Sequence, residues 1–264
     1  MTEIYISGAR LAHSCKKSND FLLTLMKPWY QLSIQDCGEP LVPIALEYFA
    51  VESPHPYEKL GANYGKLSPY YLRKRVLEAL IEAQSQLQQR HPGWRIKIFD
   101  AYRPVEIQQF MVDYTFTSVV QAQGLDLEQL SPQQRQDLWE QVHQIWAVPS
   151  LDPRTPPPHS TGAAVDITLV DADGETIDLG SEIDELSRRS HPDYYAHRTR
   201  EDEQAFHARR QLLDEVMRAA GFRRHPGEWW HFSLGDQMWA WQHNQDNPSN
   251  LITACYGRVV QESE

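Results

Sequence analysis

The 264-residue chain predicts an α+β fold, with a mostly antiparallel central sheet and flanking helices. Three observations carry that expectation. Stretches with a helical apolar period alternate with short stretches of period two. Asp173-Gly174 sits just past the most apolar strand candidate, where a hairpin turn belongs, and Pro226-Gly227 turns the chain into a last apolar strand.

In chain order, residues 1–40 are mixed in pattern and read as an extension packed on the main domain, which takes residues 41–264. A helix is expected to open at Ser68-Pro69, a cap followed by proline in the first turn. Leu72, Val76, Leu80, Ala83 and Leu87 give it one apolar stripe, and His91-Pro92-Gly93 stops it. Trp94, Ile96 and Ile98 then alternate with Arg95 and Lys97, a half-buried strand that delivers Asp100 and Arg103 to the loop at its end. Residues 104–147 look helical, with Ser131-Pro132 opening a helix that includes Leu138, Val142 and Ile145. Pro153 and Pro156 to Pro158 make a stiff approach to His159. From Ala163 to Val170 the alternation returns: Val165, Ile167 and Leu169 face one way, Ala164, Asp166 and Thr168 the other. Phe206, Leu213, Val216, Met217 and Ala220 define a further amphipathic helix closed by Gly221, and Trp229 to Leu234 form the final strand.

A net charge of -11 and a pI near 5.5 argue against a nucleic-acid backbone or an anionic membrane as partner. The three cysteines, Cys15, Cys37 and Cys255, are odd in number and none lies near the motifs below, so reduced thiols in a cytoplasm are expected. Leu11 to Cys15 lacks the preceding apolar run of a signal peptide, and no stretch is apolar enough for a transmembrane helix.

Three separated segments carry chemistry. His159 and Asp166 lie in PPHSTGAAVDITL, Glu228 and His231 in GEWWHF, and Arg103 in DAYRP. Two imidazoles and one carboxylate are a complete set of protein ligands for a catalytic zinc, which keeps its fourth position for water. The remaining carboxylate can serve as base and the arginine can hold developing negative charge. Geometry sets a condition: residues seven or three apart point to opposite faces of a regular strand. Gly162 and Pro226-Gly227 stand where the chain must bend for each pair to converge.

The same segments resemble the D-alanyl-D-alanine dipeptidases, zinc peptidases that share a fold with D,D-carboxypeptidases and the hedgehog domain. HSTGAAVD resembles their S-x-H-x-x-G-x-A-x-D motif, GEWWHF their E-x-W-H element and DAYRP a third block, and the likeness runs from about Val42 to Leu234. It implies hydrolysis of D-Ala-D-Ala to two D-alanines, with His159, Asp166 and His231 holding one zinc ion, Glu228 as general base and Arg103 as transition-state stabiliser. It further implies that Asp184, in GSEID, and Tyr48, in ALEYFA, bind a small dipeptide. One departure stands out: Pro157 and Pro158 occupy positions where the family carries serines that help hold the substrate carboxylate. Two alternatives remain at this level: a D,D-carboxypeptidase acting on longer peptidoglycan peptides, and a non-catalytic zinc module that binds a partner.

Overall fold

The strand carrying Asp166 runs through the middle of a five-stranded sheet, and the rest of the molecule is arranged around it. The computed structural model describes residues 27–65 and 68–260. In chain order these form β1 (Leu41–Pro43), β2 (Ala50–Val51), α1 (Pro56–Lys59), β3 (Tyr71–Arg73), α2 (Lys74–Arg90), β4 (Arg95–Asp100), α3 (Val105–Ala122) and α4 (Pro132–Val142). They continue with β5 (Ala164–Val170), α5 (Glu201–Ala219), β6 (Arg223–Arg224), β7 (His231–Ser233) and α6 (Gln237–Asp246).

The main sheet has the order β2-β4-β5-β7-β6. Only β2 runs parallel to its neighbour, and the other three pairings are antiparallel, so the fold is α+β as the sequence predicts. Register matters more than order here. Asp100 on β4 lies opposite Asp166 on β5, and Asp166 opposite His231 on β7, so three polar side chains share one face in a row. On the other face Val165, Ile167 and Leu169 join Ile96, Ile98 and Phe232 in the main core, beneath α2 and α5. Leu80 and Leu87 of α2 and Leu213 and Val216 of α5 are fully buried there. Each such side chain contributes roughly 1.5–3 kcal/mol of burial. A second cluster, including Met111, Phe116, Leu138 and Trp146, packs α3 against α4.

One boundary differs from expectation. The helix carrying the apolar stripe starts at Lys74, not at Ser68-Pro69. The Ser68 hydroxyl caps a local turn by accepting from Tyr70 N, and Tyr71–Arg73 stays extended because β1 takes its backbone hydrogen bonds. Leu72 is buried all the same, as a strand residue. At the other end of the chain, regular pairing in the last strand is confined to His231–Ser233. Ser131 caps α4 in a box with Gln134, as its sequence suggests, while Ile145 lies beyond the helix end. Asp173-Gly174 makes the turn after β5, with Gly174 at φ 88°.

Residues 1–26 of the expected extension, including Cys15, lie outside the described residues. From Ser33 to Cys37 the chain runs beside Ala254 and Cys255, with Gln35 N bonded to Ala254 O at 2.8 Å and Cys37 N to Cys255 O at 3.0 Å. Both cysteines are free thiols. No described helix is long and apolar enough to cross a membrane.

Candidate metal centre and active site

His159 sits on a 3-10 turn, Pro158–Thr161, that the preceding prolines lead into. Gly162 then adopts φ 71°, a left-handed conformation that costs glycine little and bends the chain into β5. A Cβ at that position would collide with the side chain of Leu41. This bend meets the geometric condition on His159 and Asp166. For the second pair, Glu228 lies in the turn before β7 and His231 on the strand itself.

The result is a tight triangle of donors. His159 Nε2 is 3.1 Å from Asp166 Oδ2 and 3.1 Å from His231 Nδ1, which is 3.0 Å from Asp166 Oδ1. All three side chains are buried, and among the described residues they are the group of three whose donors could hold a metal ion. Bonds of 2.0–2.1 Å at tetrahedral angles would separate donors by about 3.3 Å. The triangle is within a few tenths of an ångström of that spacing, so the residues fit a small four-coordinate divalent ion.

Hydrogen bonds behind the triangle orient it. His159 Nδ1 meets Ala101 O at 2.7 Å, which fixes the proton on Nδ1 and leaves the Nε2 lone pair toward the cluster. His231 Nε2 lies 3.3 Å from Ser233 Oγ, and Ser233 in turn bonds the buried Asp236. Burial alone would raise the Asp166 carboxyl, but the flanking imidazoles of His159 and His231 hold it well below the usual range.

Arg103 is delivered by the loop after β4, whose backbone is tied to the histidine turn by Arg103 N to His159 O at 3.3 Å. Its guanidinium donates to Asp100 Oδ2 (2.8 Å), Gln108 Oε1 (2.9 Å), Tyr57 OH (3.1 Å) and Asp166 Oδ2 (3.1 Å). The plane also stacks near the rings of Tyr57 and Trp146, at 5.0 and 4.9 Å. Asp100 is the counterweight: fully buried, it lies 3.2 Å from His55 Nε2 as well, and these partners with Arg103 keep it ionised against the cost of burial.

Glu228 and Asp184 line the same pocket, together with His225, Lys27 and Tyr30; its cavity volume is only ≈ 40 Å³. Burial pushes the Glu228 carboxyl up to about 8, opposed by the positive charge of His231 and Lys27. Asp184 is pushed up to about 7 by burial and by neighbouring Asp166, and it accepts from Tyr57 OH at 2.8 Å. It is the non-glycine residue with positive φ, 63°, among the described residues. Its loop is wired to α5 through Arg210, which donates to Leu179 O, Arg189 O, His191 O and Ser181 Oγ. Ser181 also accepts from Trp229 Nε1 at 2.8 Å, so the first tryptophan of GEWWHF braces the loop that presents Asp184.

The structure thus brings together His159, Asp166, His231, Glu228, Arg103 and Asp184, and leaves Tyr48 out. Tyr48 ends a 3-10 turn, is 49% exposed, and does not line the pocket. That turn precedes edge strand β2, whereas the tyrosine beside Asp184 and Arg103 is Tyr57, nine residues on. The signal for Tyr57 was local: His55 caps α1 at Pro56, which buries the ring of the next residue. His225 was also missed. It lies three residues before Glu228, its Nδ1 3.4 Å from Glu228 Oε1, and burial with the charge of His231 holds it neutral.

The chain has relatives among known proteins. A D-alanyl-D-alanine dipeptidase of Synechocystis sp. is 53% identical over 242 residues, which covers 89% of this chain and 98% of that one. The D-alanyl-D-alanine dipeptidase of Escherichia coli is 35% identical over 121 residues, 44% of this chain and 59% of its own. A solved vancomycin-resistance D,D-pentapeptidase in complex with Zn(II) is 18% identical with a TM-score of 0.40, covering 82% of this chain and 94% of its own. The family profile for D-ala-D-ala dipeptidase matches residues 51–249, and on the strength of that span the chain belongs to this family of metallopeptidases.

Proposed function

We propose that the enzyme hydrolyses D-Ala-D-Ala to two D-alanines, using one zinc ion held by His159, Asp166 and His231. When bound, zinc supplies Lewis acidity to the scissile carbonyl and the attacking water. Glu228 takes the water's proton as attack begins and hands it to the leaving amine. Its carboxyl stands in the pocket wall, Oε2 3.9 Å from His231 Nδ1, and burial pushes it up to about 8, within reach of proton exchange near neutral pH. Arg103 faces the carbonyl oxygen as negative charge develops. Its fork is immobilised by Asp100, Gln108 and Tyr57, so little reorganisation is needed at that moment.

The observation that carries the dipeptide reading is Asp184, which lines a small pocket with the metal donors and accepts from the buried Tyr57 OH behind it. A buried carboxylate with one hydroxyl donor suits a free ammonium, and an acylated nitrogen would leave it without a counterion. The reading is tested by D-alanine release from D-Ala-D-Ala with and without a chelator, beside N-acetyl-D-Ala-D-Ala. Chelator-sensitive turnover of the free dipeptide alone is expected. Equal turnover of the acetylated substrate would favour a D,D-carboxypeptidase, and bound zinc without turnover of either would favour a binding module.

A further inference from the structure

A free dipeptide brings a carboxylate as well as an ammonium, and the histidine turn offers that carboxylate nothing. Pro158 lines the pocket and, like Pro156 and Pro157, has no N–H. The hydroxyls of Ser160 and Thr161 are turned back onto Pro157 O (2.7 Å) and Pro158 O (2.6 Å). Arg103 donates to Asp100, Asp166, Gln108 and Tyr57, and what it has left is assigned to the scissile carbonyl. With Asp166, Asp184 and Glu228 also in the wall, a second carboxylate entering this pocket needs a cation of its own.

Lys27 is that cation. It lines the pocket, and it makes no ion pair with a described residue; its charge is nevertheless felt across the pocket, lowering His225 and Glu228. The segment that carries it is fixed in place. Trp29 packs edge-on against His225 at 5.5 Å and tilted against Trp241 at 5.9 Å. Gln237 Nε2 at the start of α6 donates to Leu32 O at 2.6 Å. The backbone just after Lys27 is therefore held by residues near the far end of the chain.

We propose that Lys27 binds the terminal carboxylate of the substrate while Asp184, in the same pocket, takes its ammonium, an assignment that rests on the dipeptidase reading. The two charged groups in one pocket then select a substrate that carries both a free ammonium and a free carboxylate. Loss of one charge-assisted hydrogen bond of this kind weakens binding by about 10- to 100-fold.

The test compares native enzyme, Lys27→Met and Lys27→Arg on D-Ala-D-Ala and on its C-terminal amide, with zinc content and circular dichroism recorded for each. Native enzyme is expected to prefer the free acid. Lys27→Met is expected to raise KM for the acid by about 10- to 100-fold with a smaller change in kcat, and to abolish the preference for acid over amide. Lys27→Arg is expected to restore most of both. An unchanged KM and an unchanged acid-to-amide ratio in a folded, zinc-loaded Lys27→Met enzyme overturn the assignment while leaving the dipeptidase reading intact. No release of D-alanine by the native enzyme overturns that reading, and the role of Lys27 with it.

Discussion

At the scale of single residues the pocket separates two carboxylates by environment. Asp166 lies between two imidazoles and stays ionised, whereas Glu228 is buried with fewer partners and is pushed up to about 8. The first is suited to hold a cation and the second to exchange a proton. Glu228→Gln should therefore lower kcat by about 100- to 10,000-fold, the range of a lost general base, while zinc content measured by mass spectrometry stays at the native level. Arg103→Lys should cost about 100- to 1,000-fold in kcat/KM. An ammonium cannot reproduce the fork that meets Asp100, Gln108, Tyr57 and Asp166 together, so this variant should also lose thermal stability. Retention of full activity by either variant in the D-alanine assay would contradict the assigned role.

At the scale of elements, two predictions follow from how the helices and the histidine turn are built. Leu80→Ala removes a fully buried side chain from the middle of α2 and should destabilise the protein by about 2–5 kcal/mol in urea unfolding. Gly162→Ala should do more harm than its size suggests. It demands a left-handed backbone of an alanine and drives a Cβ into Leu41, so both the melting temperature and the zinc occupancy should fall. The sequence made these elements legible to different degrees. Period-two alternation in β4 and β5 and the cap at Ser131 act locally, so they could be read directly. The start of α2 could not, because β1, some thirty residues upstream, claims the hydrogen bonds of Tyr71–Arg73. Likewise the loop of Asp184 is held by a distant partner, Arg210 on α5. Motif spacing pointed to the residues of the candidate metal cluster, since glycine and proline mark the bends that bring them together. Tyr57 and Lys27 stand outside those motifs, and only folding brings Tyr57 against Asp184 and Lys27 into the pocket.

At the scale of the whole molecule, the donors come from a turn, the central strand and its neighbour, so an ion bound there ties together parts of the chain 72 residues apart. Removal of zinc by a chelator should lower the melting temperature as well as abolish activity, and re-addition should restore both. A melting curve indifferent to chelation would mean that the cluster holds no ion. A wider consequence follows from the alignment of Asp100, Asp166 and His231 across three strands. The alternation that sends Val165 and Ile167 into the apolar core also sends Asp166 to the pocket, so slipping β5 by one position would bury its acid in oil and turn its aliphatic side chains toward the pocket. Metal uptake during refolding thus doubles as a gauge of correct strand pairing: a chain that has paired wrongly has no place to put the ion.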